Sequence, residues 1–89
     1  MDRLNKLGGY SLLDVREGEC VEVIGFNAGP NARLRLENMG IGVGVRLKVV
    51  KIGPVLGPVL IENLHDGNKF ALGRRLAEKV VVRLCEKEA

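Results

Sequence analysis

Few side chains in this 89-residue sequence could ligate a metal or attack a substrate. Cys20, Cys85 and the single histidine, His65, are its soft or borderline ligands, with Met1 and Met39 trailing behind. The two cysteines belong to no Cys-x-x-Cys pair and read as reduced thiols behaving as small apolar side chains. Cys20 opens one apolar stretch and Cys85 closes another, so a closed sheet could make them neighbours. A weak or regulatory transition-metal site drawing on Cys20, His65 and Cys85 is the alternative, and nothing in the pattern requires a cofactor such as Fe2+. His65 abuts the turn Asp66-Gly67-Asn68 and belongs to no nucleophile constellation. Glu17, Glu19, Glu22, Glu62 and Glu78 are scattered over expected solvent faces, whereas acid–base work needs carboxylates held in a cleft. The glycines match neither a phosphate-binding loop nor a dinucleotide fingerprint. The expectation is a protein without catalysis.

The basic residues are less evenly spread. Arg33, Arg35, Arg46, Lys48 and Lys51 stand against Glu37 alone in the middle of the chain. A solvated face is the plain expectation for such a run. The sharper one is a docking surface for an acidic partner, with Val55 and Leu56 as adjoining apolar contacts. The partner-binding candidates are therefore Arg33, Arg35, Leu36, Met39, Val55 and Leu56. Nucleic acid is not expected: the net charge is only +3, and Tyr10, Phe26 and Phe70 are too dispersed for a stacking platform.

Most of these candidates need one short helix to place them. Pro30 suits a first helical position, where its missing N–H would have had no partner, and Gly29 is a tolerable N-cap. Ala32, Leu36 and Met39 share a narrow apolar stripe, while Arg33, Glu37 and Asn38 face water. Gly40 can supply a left-handed closing residue, with Ile41 folding back on Leu36. A helix of roughly ten residues is marginal alone, so it must dock, and the remaining pattern offers strands. Ser11 is a plausible cap for a single turn at Leu12-Leu13-Asp14. Strands are expected over about 20–26, 45–52, 59–65, 69–72 and 80–84, with a bulge near Gly25. Between the second and third lies a rigid loop, Gly53-Pro54-Val55-Leu56-Gly57-Pro58, whose Val55 and Leu56 are expected to be exposed.

Eighty-nine residues make one domain, here expected over 11–84 with a loose lead-in at 1–10 and a frayed tail at 85–89. With 46% hydrophobic but only 3% aromatic residues, the core must be aliphatic. No apolar run approaches the ~20 residues of a membrane span, and the charged N-terminus has no signal-peptide core. A cytoplasmic location follows as the expectation. Five short strands and one inserted helix predict an all-β fold, a small, strongly bent antiparallel barrel with the helix between strands 1 and 2. A flat five-stranded sheet with the helix on one face is the alternative.

The segment Arg35-Leu36-Glu37-Asn38-Met39-Gly40-Ile41-Gly42-Val43-Gly44 resembles the most recognisable stretch of the FeoA family, small proteins of ferrous iron uptake. The likeness extends to Ser11-Leu12-Leu13-Asp14-Val15, to the Pro-rich loop at 54–58, and to Phe70-Ala71-Leu72 with Ala77 and the strand at 80–82. Val43 stands where the family commonly has proline, and Gly73 where a basic residue is frequent. The resemblance implies an SH3-like barrel that contacts the cytoplasmic part of the FeoB-type ferrous iron transporter without entering the membrane. The same barrel closes metal-dependent repressors of the diphtheria-toxin-repressor type. A transition-metal-binding regulatory domain of that kind is thus the alternative function, and self-association through the exposed loop or a strand edge is a further expectation.

Overall fold

The computed structural model describes residues 9–85. Six antiparallel strands form one sheet in the order β1-β6-β2-β3-β4-β5. They are β1 (Tyr10–Ser11), β2 (Cys20–Phe26), β3 (Arg46–Ile52), β4 (Val59–Asn63), β5 (Lys69–Leu72) and β6 (Val80–Leu84). Helix α1 (Pro30–Asn38) joins β2 to β3, and a shorter helix, α2 (Arg74–Glu78), joins β5 to β6. The expected SH3-like small β fold is present, but with six strands instead of five. The extra one is β1: Tyr10 and Ser11 pair with Val82 and Val81, so the end of the expected lead-in is part of the sheet. Residues 1–8 of that lead-in and residues 86–89 of the expected tail lie outside the described residues.

Alternation explains the faces. In β3, Leu47 and Val49 are buried while Arg46 and Lys48 are exposed, and in β4 Val59 and Ile61 are buried while Leu60 and Glu62 are less so. The register shifts between Val23 and Gly25 in β2, beside the expected bulge, and again between Val49 and Lys51 in β3. Such shifts raise the local twist and bend a small sheet around its own core. That core is aliphatic throughout: Leu12, Val21, Val23, Leu36, Ile41, Leu47, Val49, Ile61, Leu72, Val80 and Val82 are all essentially inaccessible. Phe26 and Phe70 only border it.

The third expected strand, drawn to His65, ends at Asn63. Its Oδ1 accepts the His65 N–H at 2.8 Å and its carbonyl accepts the Gly67 N–H at 2.8 Å, turning the chain before His65 can pair. Asn63 is also the one buried polar residue among those described, and its Nδ2 reaches the Gly40 carbonyl at 3.4 Å.

Helix α1 closes as a Schellman motif. Ile41 N–H donates to the Leu36 carbonyl at 2.9 Å and Gly40 N–H to Glu37 at 3.0 Å. Gly40 sits at φ +92°, a conformation glycine adopts without steric penalty.

The cysteines differ from expectation. Cys20 and Cys85 are joined by a disulfide, not held as reduced thiols. The cause is register: Val21 faces Leu84 across β2 and β6, so the preceding and following cysteines meet, with Cα atoms 5.5 Å apart. Cys85 N–H also donates to the Cys20 carbonyl at 3.0 Å.

Candidate partner-binding surface

The structure divides the six partner-binding candidates between two places. Arg33, Arg35, Leu36 and Met39 belong to α1 and its C-cap, and the Gly40 carbonyl beyond them meets Asn63 at the end of β4. Val55 and Leu56 lie past Ile52, at the other end of the β3–β4 hairpin. Roughly 17 Å of strand separates Leu47, opposite Asn63, from Ile52.

Leu36 cannot meet a partner. It is fully buried, the one residue of α1 that is, and it anchors the helix on the sheet. Exposed apolar surface on α1 comes instead from Leu34, 57% accessible, which sequence spacing passes over because it lies opposite the buried stripe. Arg33 is held locally, its guanidinium carbon 5.4 Å from the Phe26 ring centroid and its Nε 3.9 Å from Glu37. Arg35 is exposed and Met39 partly so.

The basic run is also diluted by strands that are distant in sequence. Glu22 lies between Arg83 and Arg46 across three strands, with Arg83 Nη2 3.3 Å from its carboxylate. Glu62 lies between Lys48 and Lys69 in the same manner. Cation and carboxylate alternate across the outer face, so its field is weaker than the run from Arg33 to Lys51 suggests.

The soft ligands do not assemble either. Both cysteine sulfurs are committed to each other, and the His65 Nε2 accepts the Arg46 N–H at 3.1 Å. Among the described residues no three of His, Cys, Asp and Glu converge to hold an ion.

The tip of the β3–β4 hairpin is different in kind. Val55 is 93% and Leu56 79% accessible. Both have positive φ, +37° and +61°, which costs a residue with a Cβ on the order of 1–2 kcal/mol. The turn is closed by Gly57 N–H donating to Pro54 at 3.0 Å, and below it Gly53 N–H donates to Pro58 at 2.9 Å. A Cβ on Gly53 would stand 2.7 Å from the Pro58 oxygen, so this stem needs glycine. Two positive φ values in a two-residue hairpin turn favour Asn-Gly, and valine and leucine are poor choices for the backbone. Strain at an exposed apolar tip points to a use for the side chains.

The combined change Val55→Asn and Leu56→Gly is expected to stabilise the fold by about 1 kcal/mol, raising Tm by about 4–8 °C. Thermal unfolding followed by circular dichroism checks this, and an unchanged or lower Tm would show that the tip carries no strain.

Leu56 does not stand alone. With Leu13, Arg74, Arg75 and Glu78 it lines an open groove of about 490 Å³. Helix α2 is held there by its buried Ala77 and by Ser11 Oγ, which donates to the Glu78 carbonyl at 3.0 Å. None of these groove residues except Leu56 belongs to the set drawn from the sequence.

Comparison with known proteins agrees with this architecture. A model of the FeoA domain matches residues 10–84. The chain is 42% identical over 77 residues to the "Putative Fe(2+) transport protein A" of Methanocaldococcus jannaschii, covering 86% of this chain and 89% of that one. Among solved structures it resembles a crystal structure of the iron uptake regulatory protein FeoA, with TM-score 0.76, 33% identity, and 84% and 96% of the two chains covered. It also shares its fold with part of a manganese-dependent transcriptional repressor, TM-score 0.79 at 22% identity, spanning 37% of that chain. A family match across nearly the whole described domain, and a relative similar along most of both lengths, lead to one conclusion: this chain belongs to the FeoA family.

Proposed function

We propose that this FeoA-family chain is a non-catalytic accessory protein of ferrous iron uptake, acting in the cytoplasm by contact with the cytoplasmic part of a FeoB-type transporter. The observation that carries the reading is the Val55-Leu56 tip: apolar, almost fully exposed, and held by a rigid turn in a conformation its residues disfavour. A preformed tip loses little freedom when it binds, so its apolar area converts efficiently into affinity. The named relatives supply the iron-uptake context. No helix among the described residues is long and apolar enough to cross a membrane, in keeping with a protein that meets a transporter without entering the bilayer.

Pull-down of the transporter's cytoplasmic domain tests this. Capture by the native chain is expected, with about 30-fold weaker binding after Val55→Asn and Leu56→Gly, the loss typical of removing a central apolar anchor. Arg35→Glu probes α1 in parallel. Capture unchanged by either variant overturns the tip as the contact. Calorimetry with Fe2+ addresses the rival reading: a stoichiometric site tighter than about micromolar, or −8 kcal/mol, would favour a metal-binding regulatory domain.

A further inference from the structure

We infer that the groove between the hairpin tip and α2 is a docking site for a short acidic segment of a partner protein, one that sets an apolar side chain beside a carboxylate. This rests on the reading of the chain as a contact protein and adds where the contact forms and what chemistry it takes.

The lining of the groove is of two kinds. Leu56 and Leu13 supply its apolar lining, and Leu13 is itself packed on the core through the 3₁₀ turn that Ser11 caps. Arg74 and Arg75 supply its cationic lining, and among the described residues neither takes part in an ion pair. Glu78 is the single carboxylate against these two guanidinium groups. Two guanidinium groups against one carboxylate leave the groove net cationic, and the exposed Leu56 side chain sets apolar surface beside that charge. Guanidinium groups pair with carboxylates in a planar, two-pronged geometry that lysine cannot match. Apolar and guanidinium lining in one groove selects a segment with both features, and repels a basic one.

The hairpin tip and α2, which carry this lining, are held before anything binds. Hydrogen bonds from Gly53 to Pro58 and from Gly57 to Pro54 hold the tip, while Ser11 Oγ and the buried Ala77 hold α2. The groove is open to solvent and so suits a chain segment laid across it better than an enclosed small molecule.

The test uses the full chain, ¹⁵N-labelled, titrated with an acetylated, amidated pentapeptide of alternating aspartate and leucine. Saturable amide shifts are expected at Leu13, Leu56, Arg74 and Arg75. The same peptide with lysine in place of aspartate is expected to produce none. Arg75→Glu should weaken the aspartate peptide about tenfold, and Leu56→Gly, which the backbone favours, should weaken it comparably while the spectrum stays dispersed. Arg46→Glu, on the outer face, should leave binding unchanged. The inference is overturned if shifts fail to saturate, if they cluster on α1, if the lysine peptide binds equally, or if the groove resonances move on diluting the protein alone, which would mean a second copy fills it. Transporter capture that depends on the tip but survives Arg75→Glu would leave the proposed function standing while removing the groove. Peptide binding without transporter capture would do the reverse.

Discussion

Replacing Leu36 by aspartate is expected to unfold the protein and not merely to unseat a partner. Leu36 is completely buried, and it is the residue through which α1 meets the core. Removing its side chain alone would destabilise by about 2–5 kcal/mol, the usual range for a buried leucine cut back to alanine. Aspartate adds the penalty of an unpaired carboxylate, because the core cluster that Leu36 joins is aliphatic and offers no partner. A domain of this size has a total stability of roughly 4–13 kcal/mol, so the sum consumes most or all of it. Urea unfolding of Leu36→Ala is expected to show a loss of about 3 kcal/mol, with Leu36→Asp unfolded or nearly so in buffer. Leu34→Asp, two positions away but exposed, should change stability by no more than about 0.5 kcal/mol. Similar stability in Leu36→Asp and Leu34→Asp would contradict the assigned orientation of α1.

Reducing the Cys20–Cys85 disulfide is expected to lower stability by about 2–4 kcal/mol. The bond spans a sequence separation of 65 residues and so restricts much of the unfolded chain. In the chain-entropy account, closing a loop of that length is worth about 4 kcal/mol, and measured values commonly fall below the estimate. The native strands still pair after reduction, because the β2–β6 ladder and the Cys85-to-Cys20 backbone hydrogen bond do not depend on sulfur. The effect should therefore appear as an earlier urea midpoint with an intact fold in buffer. Comparing midpoints with and without a phosphine reductant, and repeating the pair in Cys20→Ser with Cys85→Ser, checks this. An equal midpoint in all four samples would show that the two thiols are not joined in solution.

How much of this was legible in the sequence depends on how local the causes are. Cys20–Phe26, Lys69–Leu72 and Val80–Leu84 are strands at their expected limits, since β-branched runs and flanking turn residues act within a few residues. The cap at Ser11, the helix start at Pro30 and its ending at Gly40 and Ile41 were readable for the same reason. The early end of β4 was not, because it depends on Asn63 hydrogen-bonding to His65 and Gly67, an arrangement with several sequence equivalents.

The site was harder to read. Spacing put Leu36 on an apolar stripe, but whether that stripe faces the core or a partner is a matter of packing, and the core claimed it. The run of basic residues looked unopposed because Glu22 and Glu62 reach it only across strands. The disulfide likewise needed β6 to return beside β2.

By itself the sequence determined an aliphatic, glycine-punctuated β domain with one capped helix, a rigid apolar loop, and a family resemblance that comparison upheld. Hydrogen-bonding chemistry and side-chain periodicity are short-range, so a linear chain already contains them. The tertiary structure alone decided which leucine is buried, which charges are neutralised, that Cys20 and Cys85 meet, and that Leu56 shares a groove with Arg74 and Arg75. Each of those rests on residues brought together by strand order and register, and no local pattern encodes them.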